Sequence, residues 1–417
     1  MKRVVFFSFW TSCFFFFLNL LNTGAFFYLG IVGLLLSVFF LSEKEMFLLI
    51  SFLVPNLFMF KQIGSKSAIL GYFFLFVSIK FWLQNYKGKV RVRLYFLTHI
   101  VLTVVTCLIY SDMDLLIQLI RFCFNFSLFA YCATLFSCEG EIECVVKSYF
   151  AGTITAILMG IIYRSAQGTL YNGLFGGINS GRNYFGAIIS PAITIAVLYF
   201  LEKKVSVSDV VLYGATTVLC LISIILSGSR TSVLGLIVPV MLILYSGFLR
   251  RNMKIFPLLV IIAVLVYYVY RNYFDSIMRL LERFGDEDVK TGNNRFDLWR
   301  YYIAQTFKNP VSFLFGSGSI NKTSYVEHNT VVQCLYQLGI INSVLMLGIL
   351  HYTFRRILRG NKIRLIALFP LLSIVVPYCG INGLYADQLS YLIILCAMIA
   401  RDFSKPKGLY TVNSRIV

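Results

Sequence analysis

The side chains best suited to chemistry fall in three short stretches of an otherwise apolar chain. The first, GLFGGINSGRNYFG at 173–186, runs Gly-rich backbone up to Arg182 and Asn183 at the mouth of an apolar run. Such backbone at the start of a helix binds phosphate through its amides and the positive helix end; the same residues also read as a plain connecting loop. The second, SGSRTS at 227–232, sets Arg230 between two apolar runs. A guanidinium at a bilayer boundary is costly unless it snorkels or meets an anion, and its planar fork fits a phosphate. The flanking Ser227, Ser229, Thr231 and Ser232 are expected to cap the helix that follows.

The third stretch, YVEHNTVVQCLYQLGIINS, places Glu327, His328 and Asn329 where polar sequence gives way to apolar. The chain has three His, and one at a water–membrane boundary beside a carboxylate has the chemistry of a general base or proton carrier. A helix-cap or interface role is the competing explanation. Two further cations, Arg295 and Arg300, lie in the polar interval 271–328. Arg300 fits anion binding and exposure to water or lipid headgroups equally well.

These residues need a scaffold, and the composition says which kind. Of 417 residues 59% are hydrophobic and 13% charged, with a mean hydropathy of +0.80, far from the roughly 25% charged of soluble domains. Apolar runs recur at 4–21, 25–42, 46–60, 67–84, 94–110, 115–137, 148–163, 184–201, 209–226, 233–248, 255–270, 329–350, 365–379 and 388–400. Helices of about this length cross the roughly 30 Å hydrocarbon core while satisfying their own backbones. The expected fold is an all-α polytopic bundle of about 12–14 spans, one membrane domain over 1–417 with the loop 271–328 inserted.

The net charge of +19 is topological rather than a nucleic-acid footprint. Basic residues gather on alternate connections, at Lys2 and Arg3, Lys44, Lys87 to Arg93, Lys147, Lys203 and Lys204, Arg250 to Lys254, Arg355 to Arg364, and from Arg401 onward. That bias puts both termini in the cytoplasm and the three polar stretches outside. Lys80 and Arg121, the basic residues inside expected spans, are read as snorkelling. The basic, apolar N-terminus reads as a first span because no small-residue cleavage pattern follows. The ten Cys sit almost wholly within spans or the Cys138/Cys144 turn without metal-ligand spacing, so neither disulfides, a metal nor a cofactor is expected.

Inside the polar interval, SIMRLLERF spaces Ile277, Leu280, Leu281 and Phe284 as a short amphipathic helix ended by Gly285. RFDLWRYYIAQTF then puts Phe296, Trp299, Tyr302, Ile303 and Phe307 near one face of a second helix, lying on the bundle or at the interface and stopped by Asn309 and Pro310.

Taken in order, NSGRNYFG, SGSRTSVLGL, NNRFDLW, GSGSI and YVEHNTVVQCLYQLGI resemble the landmarks of the O-antigen polymerase and O-antigen ligase superfamily over roughly 170–350. Ser-x-Ser-Arg, and His-Asn followed by an apolar run and Leu-Gly-Ile, are the most specific of them. Ser-Gly-Arg between Asn179 and Asn183 departs from the usual Asn-Pro-Asn form, and the first 160 residues match only as hydrophobic spans.

The resemblance implies a GT-C-like, metal-independent glycosyltransferase with a large external helical loop in the bacterial cytoplasmic membrane. Its donor and acceptor would be undecaprenyl-diphosphate-linked oligosaccharides, with membrane lipid and a chain-length regulator as further partners. Arg230 would hold the diphosphate and Arg295 would join it in catalysis, with His328 orienting or deprotonating the acceptor hydroxyl. Arg182, Asn183, Glu327, Asn329 and Arg300 would bind substrate. The resemblance implies a Wzy-type repeat-unit polymerase; a ligase delivering finished glycan to a lipid A core or another acceptor is the near alternative, and a lipid-linked oligosaccharide flippase the alternative of another class.

Overall fold

The computed structural model describes residues 24–60, 69–84, 94–136, 139–166, 168, 175–176, 181–285, 295–318, 329–358 and 364–404, and these are helical with no strands among them. The expected first span at 4–21, and Glu327 and His328, lie outside the described residues. In chain order the helices are α1 (Gly24–Phe40), α2 (Glu43–Leu53), α3 (Ile69–Gln84), α4 (Leu94–Tyr110), α5 (Met113–Leu135), α6 (Glu139–Ala166), α7 (Arg182–Glu202) and α8 (Val207–Ser227). There follow α9 (Arg230–Leu249), α10 (Ile255–Asn272), α11 (Phe274–Gly285), α12 (Arg295–Lys308), α13 (Pro310–Phe315), α14 (Thr330–Leu358), α15 (Phe369–Tyr378) and α16 (Asp387–Ser404).

Seven of these are long and apolar enough to cross a membrane, beginning at Met113, Gly140, Arg182, Val207, Arg230, Ile255 and Thr330. Fewer qualify than there are apolar runs: α1, α3 and α4 have only 17, 16 and 17 residues, and two other runs break at a proline or a turn. The run 46–60 is α2 followed by a 3-10 segment, Val54–Phe60, at Pro55; the run 365–379 is a 3-10 turn, Leu365–Leu368, leading into the ten-residue α15.

The bundle centres on α7, which is apolar on every side and buried along nearly all of its length. It packs against α8, α9 and α15. Behind it α16 lies against α5 and α14, and α2 lies against α6. At the rim α10 is largely exposed, presenting Leu259, Val260, Val264 and Tyr267 as a lipid-facing helix does.

The two ends of the bundle differ in charge. At one, Lys203 meets Asp402 at 3.0 Å, Arg364 and Arg250 meet Glu202 at 2.9 and 3.3 Å, and Lys147 meets Asp209 at 2.6 Å. The buried Arg401 donates to the carbonyls of Ile357, Ala133 and Phe136. All of these cations, Arg401 at the foot of α16 included, belong to the connections that the charge bias assigns to the cytoplasm. The starts of α7, α9, α12 and α14 lie at the opposite end, where each meets the connection between α15 and α16.

Two details of the polar interval depart from its apolar spacing. On α11, Leu280 is buried but Leu281 is 54% exposed. On α12, Phe296, Ile303 and Phe307 are exposed, whereas Tyr302 and Thr306 are buried. Packing against Tyr336 of α14 selects the Trp299–Tyr302–Thr306 stripe and leaves the other aromatics outward.

The Gly-Ser-Gly and Leu-Gly-Ile landmarks prove to be one joint. Gly339 (φ +72°) breaks the helical path inside α14, which takes the carbonyls of Tyr336 and Gln337 out of the regular ladder. Ser317 N–H donates to the first at 2.7 Å and Gly318 N–H to the second at 3.3 Å. A Cβ on Gly316 would stand 2.2 Å from the Gln337 carbonyl oxygen, and one on Gly339 would stand 2.4 Å from the Gly316 nitrogen, so both must be glycine.

Candidate functional site

The site is assembled from helix starts. Arg182, Arg230 and Arg295 are each the first residue of their helix: α7, α9 and α12. A basic residue at that position opposes the helix dipole, which favours anions there. Neither α7 nor α9 has an acidic residue in its first turn, and neither N-cap, Gly181 or Ser229, makes a side-chain cap. The Arg182 guanidinium lies within electrostatic range of both Arg230 and Arg295, so three half-buried cations share one region with three positive helix ends. A surface that gathers like charge in this way suits a polyanion.

The serines and the glycine of SGSRTS each have a place. Gly228 ends α8 in the left-handed conformation (φ +58°), and the Ser227 hydroxyl turns back to the Ile224 carbonyl at 2.7 Å. The expectation that Ser229 caps α9 fails. Its hydroxyl instead donates to Asn183 Oδ1 at 3.0 Å and lies 2.8 Å from the Ser232 hydroxyl, tying the start of α7 to that of α9. These helices are close enough there that a Cβ on Gly186 would stand 2.1 Å from Ser232 Oγ.

The remaining pieces meet at the connection 379–386 between α15 and α16. Arg295 Nη1 donates to the Gly380 carbonyl at 3.3 Å, and the Tyr184 hydroxyl donates to the Asn382 carbonyl at 2.6 Å. Asn329 N–H donates to Asn382 Oδ1 at 3.2 Å, and the Thr330 hydroxyl donates to the Ile381 carbonyl at 2.8 Å. Asn329 Oδ1 in turn accepts the amides of Val331 (2.8 Å) and Val332 (3.2 Å), capping α14. Gln333 Oε1 accepts the Leu384 amide at 3.0 Å.

Arg182, Asn183, Arg230, Arg295 and Asn329 therefore converge on one end of the bundle, through direct contacts or through this connection. Arg300 stands apart, with its side chain 84% exposed and 3.8 Å from Asp297. Glu327 and His328 immediately precede the buried Asn329 but lie outside the described residues. Among the described residues no three His, Cys, Asp or Glu side chains gather as a metal site would require.

Sequence reasoning passed over the 379–386 connection because it lies between two apolar runs and carries no charge before Asp387. Its Asn382-Gly383 pair, a turn signal inside an apolar region, was the available clue. Arg121 also departs from expectation: its Nε lies 3.2 Å from Asp387 Oδ2, so it pairs inward rather than snorkelling. Lys80 donates to the Val38 carbonyl and lies over the rings of Phe39 and Phe81.

Residues 215–347 match the family model described as O-antigen ligase. That match covers about a third of the chain and supports its resemblance to the O-antigen polymerase and ligase superfamily. Members of this superfamily are glycosyltransferase-like enzymes of the membrane, acting as polymerases or ligases on lipid-linked oligosaccharide. The matched segment contains Arg230, Arg295, Asn329 and the Gly316–Gly339 joint; Arg182 and the 379–386 connection lie beyond it. No curated protein matches the chain.

Proposed function

We propose that this chain belongs to the O-antigen polymerase and ligase superfamily and is a Wzy-type repeat-unit polymerase of the bacterial cytoplasmic membrane, with its active face outside and both termini inside. The observation that carries the proposal is the gathering of Arg182, Arg230 and Arg295 at three helix starts. In the proposed reaction a hydroxyl of one lipid-linked repeat attacks the anomeric carbon of the growing glycan. The bond from that carbon to the diphosphate oxygen breaks, and the negative charge that builds on the leaving undecaprenyl diphosphate meets fixed guanidiniums and helix dipoles. Preorganised positive groups stabilise such charge without a metal.

His328 is the proposed base for the acceptor hydroxyl, one residue before Asn329, whose backbone is held by Asn382. Arg300 is assigned a peripheral contact with substrate or headgroups.

Two other readings each draw on one observation. The matching family is described as O-antigen ligase, which favours transfer of finished glycan to a lipid A core or another acceptor. The buried Arg121–Asp387 pair is the kind of intramembrane charge found in transporters. Deletion in the native host separates the first: loss of the long glycan ladder with one repeat still attached supports polymerase, and loss of all attached glycan overturns it in favour of ligase. Proteoliposomes separate the second, since substrate crossing the bilayer without a glycosidic product overturns the enzyme assignment.

A further inference from the structure

The 379–386 connection orders the arginine site, yet it is anchored by side chains on helices that take no part in that site. Asp387, directly after it, is 1% exposed. Its Oδ2 lies 3.2 Å from Arg121 Nε and its Oδ1 accepts from Asn125 Nδ2 at 2.8 Å, both on α5. Asn125 Oδ1 accepts in turn from the Ser78 hydroxyl of α3 at 3.4 Å. Two residues before Asp387, Tyr385 adopts φ +58°, a conformation that bulky side chains rarely take. Its buried hydroxyl lies 3.1 Å from His99 Nε2 and 3.5 Å from Thr103 Oγ1, both on α4.

A buried carboxylate facing a largely buried guanidinium is a poor way to gain stability, because desolvation opposes most of the attraction. A strained tyrosine adjacent to it persists only where surrounding contacts over-determine it. Both features fix the same eight residues, and those residues supply the carbonyls and the amide side chain that hold Arg295, Tyr184, Asn329 and Thr330. A requirement for fixed geometry at the site accounts for their coincidence.

We propose that Arg121 and Asp387 are positioning residues: their buried ion pair locks the 379–386 connection, and through it sets Arg295 of α12 and Asn329 of α14 in register with Arg182 and Arg230. This inference rests on the glycosyl-transfer function proposed above. It assigns to α5, a helix outside the matched family segment, a role in turnover that acts through other residues.

The test combines an activity-independent readout with kinetics on the full chain in lipid nanodiscs. Asp387→Asn keeps the shape and the acceptor for Asn125 but removes the charge facing Arg121. Hydrogen exchange over 380–386 should speed up about tenfold, with the amide of Leu384 among those affected and the body of α7 unchanged. Turnover per folded molecule with a lipid-linked donor should fall at least tenfold, with KM changed less than twofold. If Asp387→Asn does not fold, Arg121→Lys takes its place, retaining the charge while altering reach and geometry; exchange over 380–386 should again speed up and turnover fall at least threefold. Unchanged exchange, or faster exchange with parent-like turnover, overturns the proposal. A parent protein that transfers no glycan counts against the proposed function, while the exchange measurement still decides whether the ion pair holds the connection.

Discussion

Replacing Gly186 by alanine tests how tightly the arginine site depends on the contact between α7 and α9. The new Cβ would stand 2.1 Å from Ser232 Oγ and 2.8 Å from Ser232 Cβ, so the two helices must part by about 1 Å or the serine must turn away. Ser232 is fully buried, and its hydroxyl is 2.8 Å from that of Ser229, which holds Asn183. Overpacking of this kind costs about 1–3 kcal/mol, and loss of the Ser229–Ser232 hydrogen bond adds about 1 kcal/mol. The expected destabilisation is therefore about 2–4 kcal/mol. Arg230 lies between the two serines, so activity should fall further than stability does; a displacement near 1 Å is enough for a loss of about 100-fold. Thermal melting in detergent and turnover of a lipid-linked donor, each normalised to folded protein, measure the two effects. Adding Ser232→Gly removes both overlaps and should recover the overpacking part of the loss, less about 1 kcal/mol for glycine inside a helix. Parent-like stability and turnover in Gly186→Ala, or no recovery in the double variant, would refute the packing account.

Arg230→Ala should insert normally but lower kcat by about 10²–10³-fold, the loss seen when one preorganised donor to a developing anion is removed. Arg230→Lys should recover only part of it, because a point charge replaces the planar fork; steady-state kinetics on both variants checks this. Asn329→Ala removes the acceptor for the Val331 and Val332 amides, so the melting temperature should fall by an amount matching about 1 kcal/mol, and turnover should fall because the start of α14 frays beside His328. Gly339→Ala places a Cβ 2.4 Å from the Gly316 nitrogen at a φ of +72°, and should remove most folded protein as read by size-exclusion yield.

Much of this arrangement is legible in the sequence because membrane solvation is so restrictive. Apolar runs between polar turns mark nearly every described helix, and Gly285, Asn309 and Pro310 mark the stops within the polar interval. Arg182 and Arg230 are conspicuous because a charge at the edge of an apolar run needs a reason. What the sequence hides is contact between distant segments. Nothing local indicates that Ser229 turns to Asn183 rather than capping its own helix, or that Gly316 fits against Gly339. The Arg121–Asp387 pair is hidden for the same reason, since its partners are 266 positions apart, and alone Arg121 resembles a snorkelling cation and Asp387 an ordinary boundary charge. Asn382 is the least visible of all: a neutral residue in a short turn matters here only because three segments bond to its neighbourhood.

The central claim is that Arg182, Arg230 and Arg295 form a single diphosphate site, and the most direct measurement is binding of undecaprenyl diphosphate to the parent and to the three single alanine variants in nanodiscs. The account predicts that each substitution weakens binding at least tenfold, about 1.4 kcal/mol, and that affinity falls steeply with added salt. Parent-like affinity in two of the three variants would contradict it.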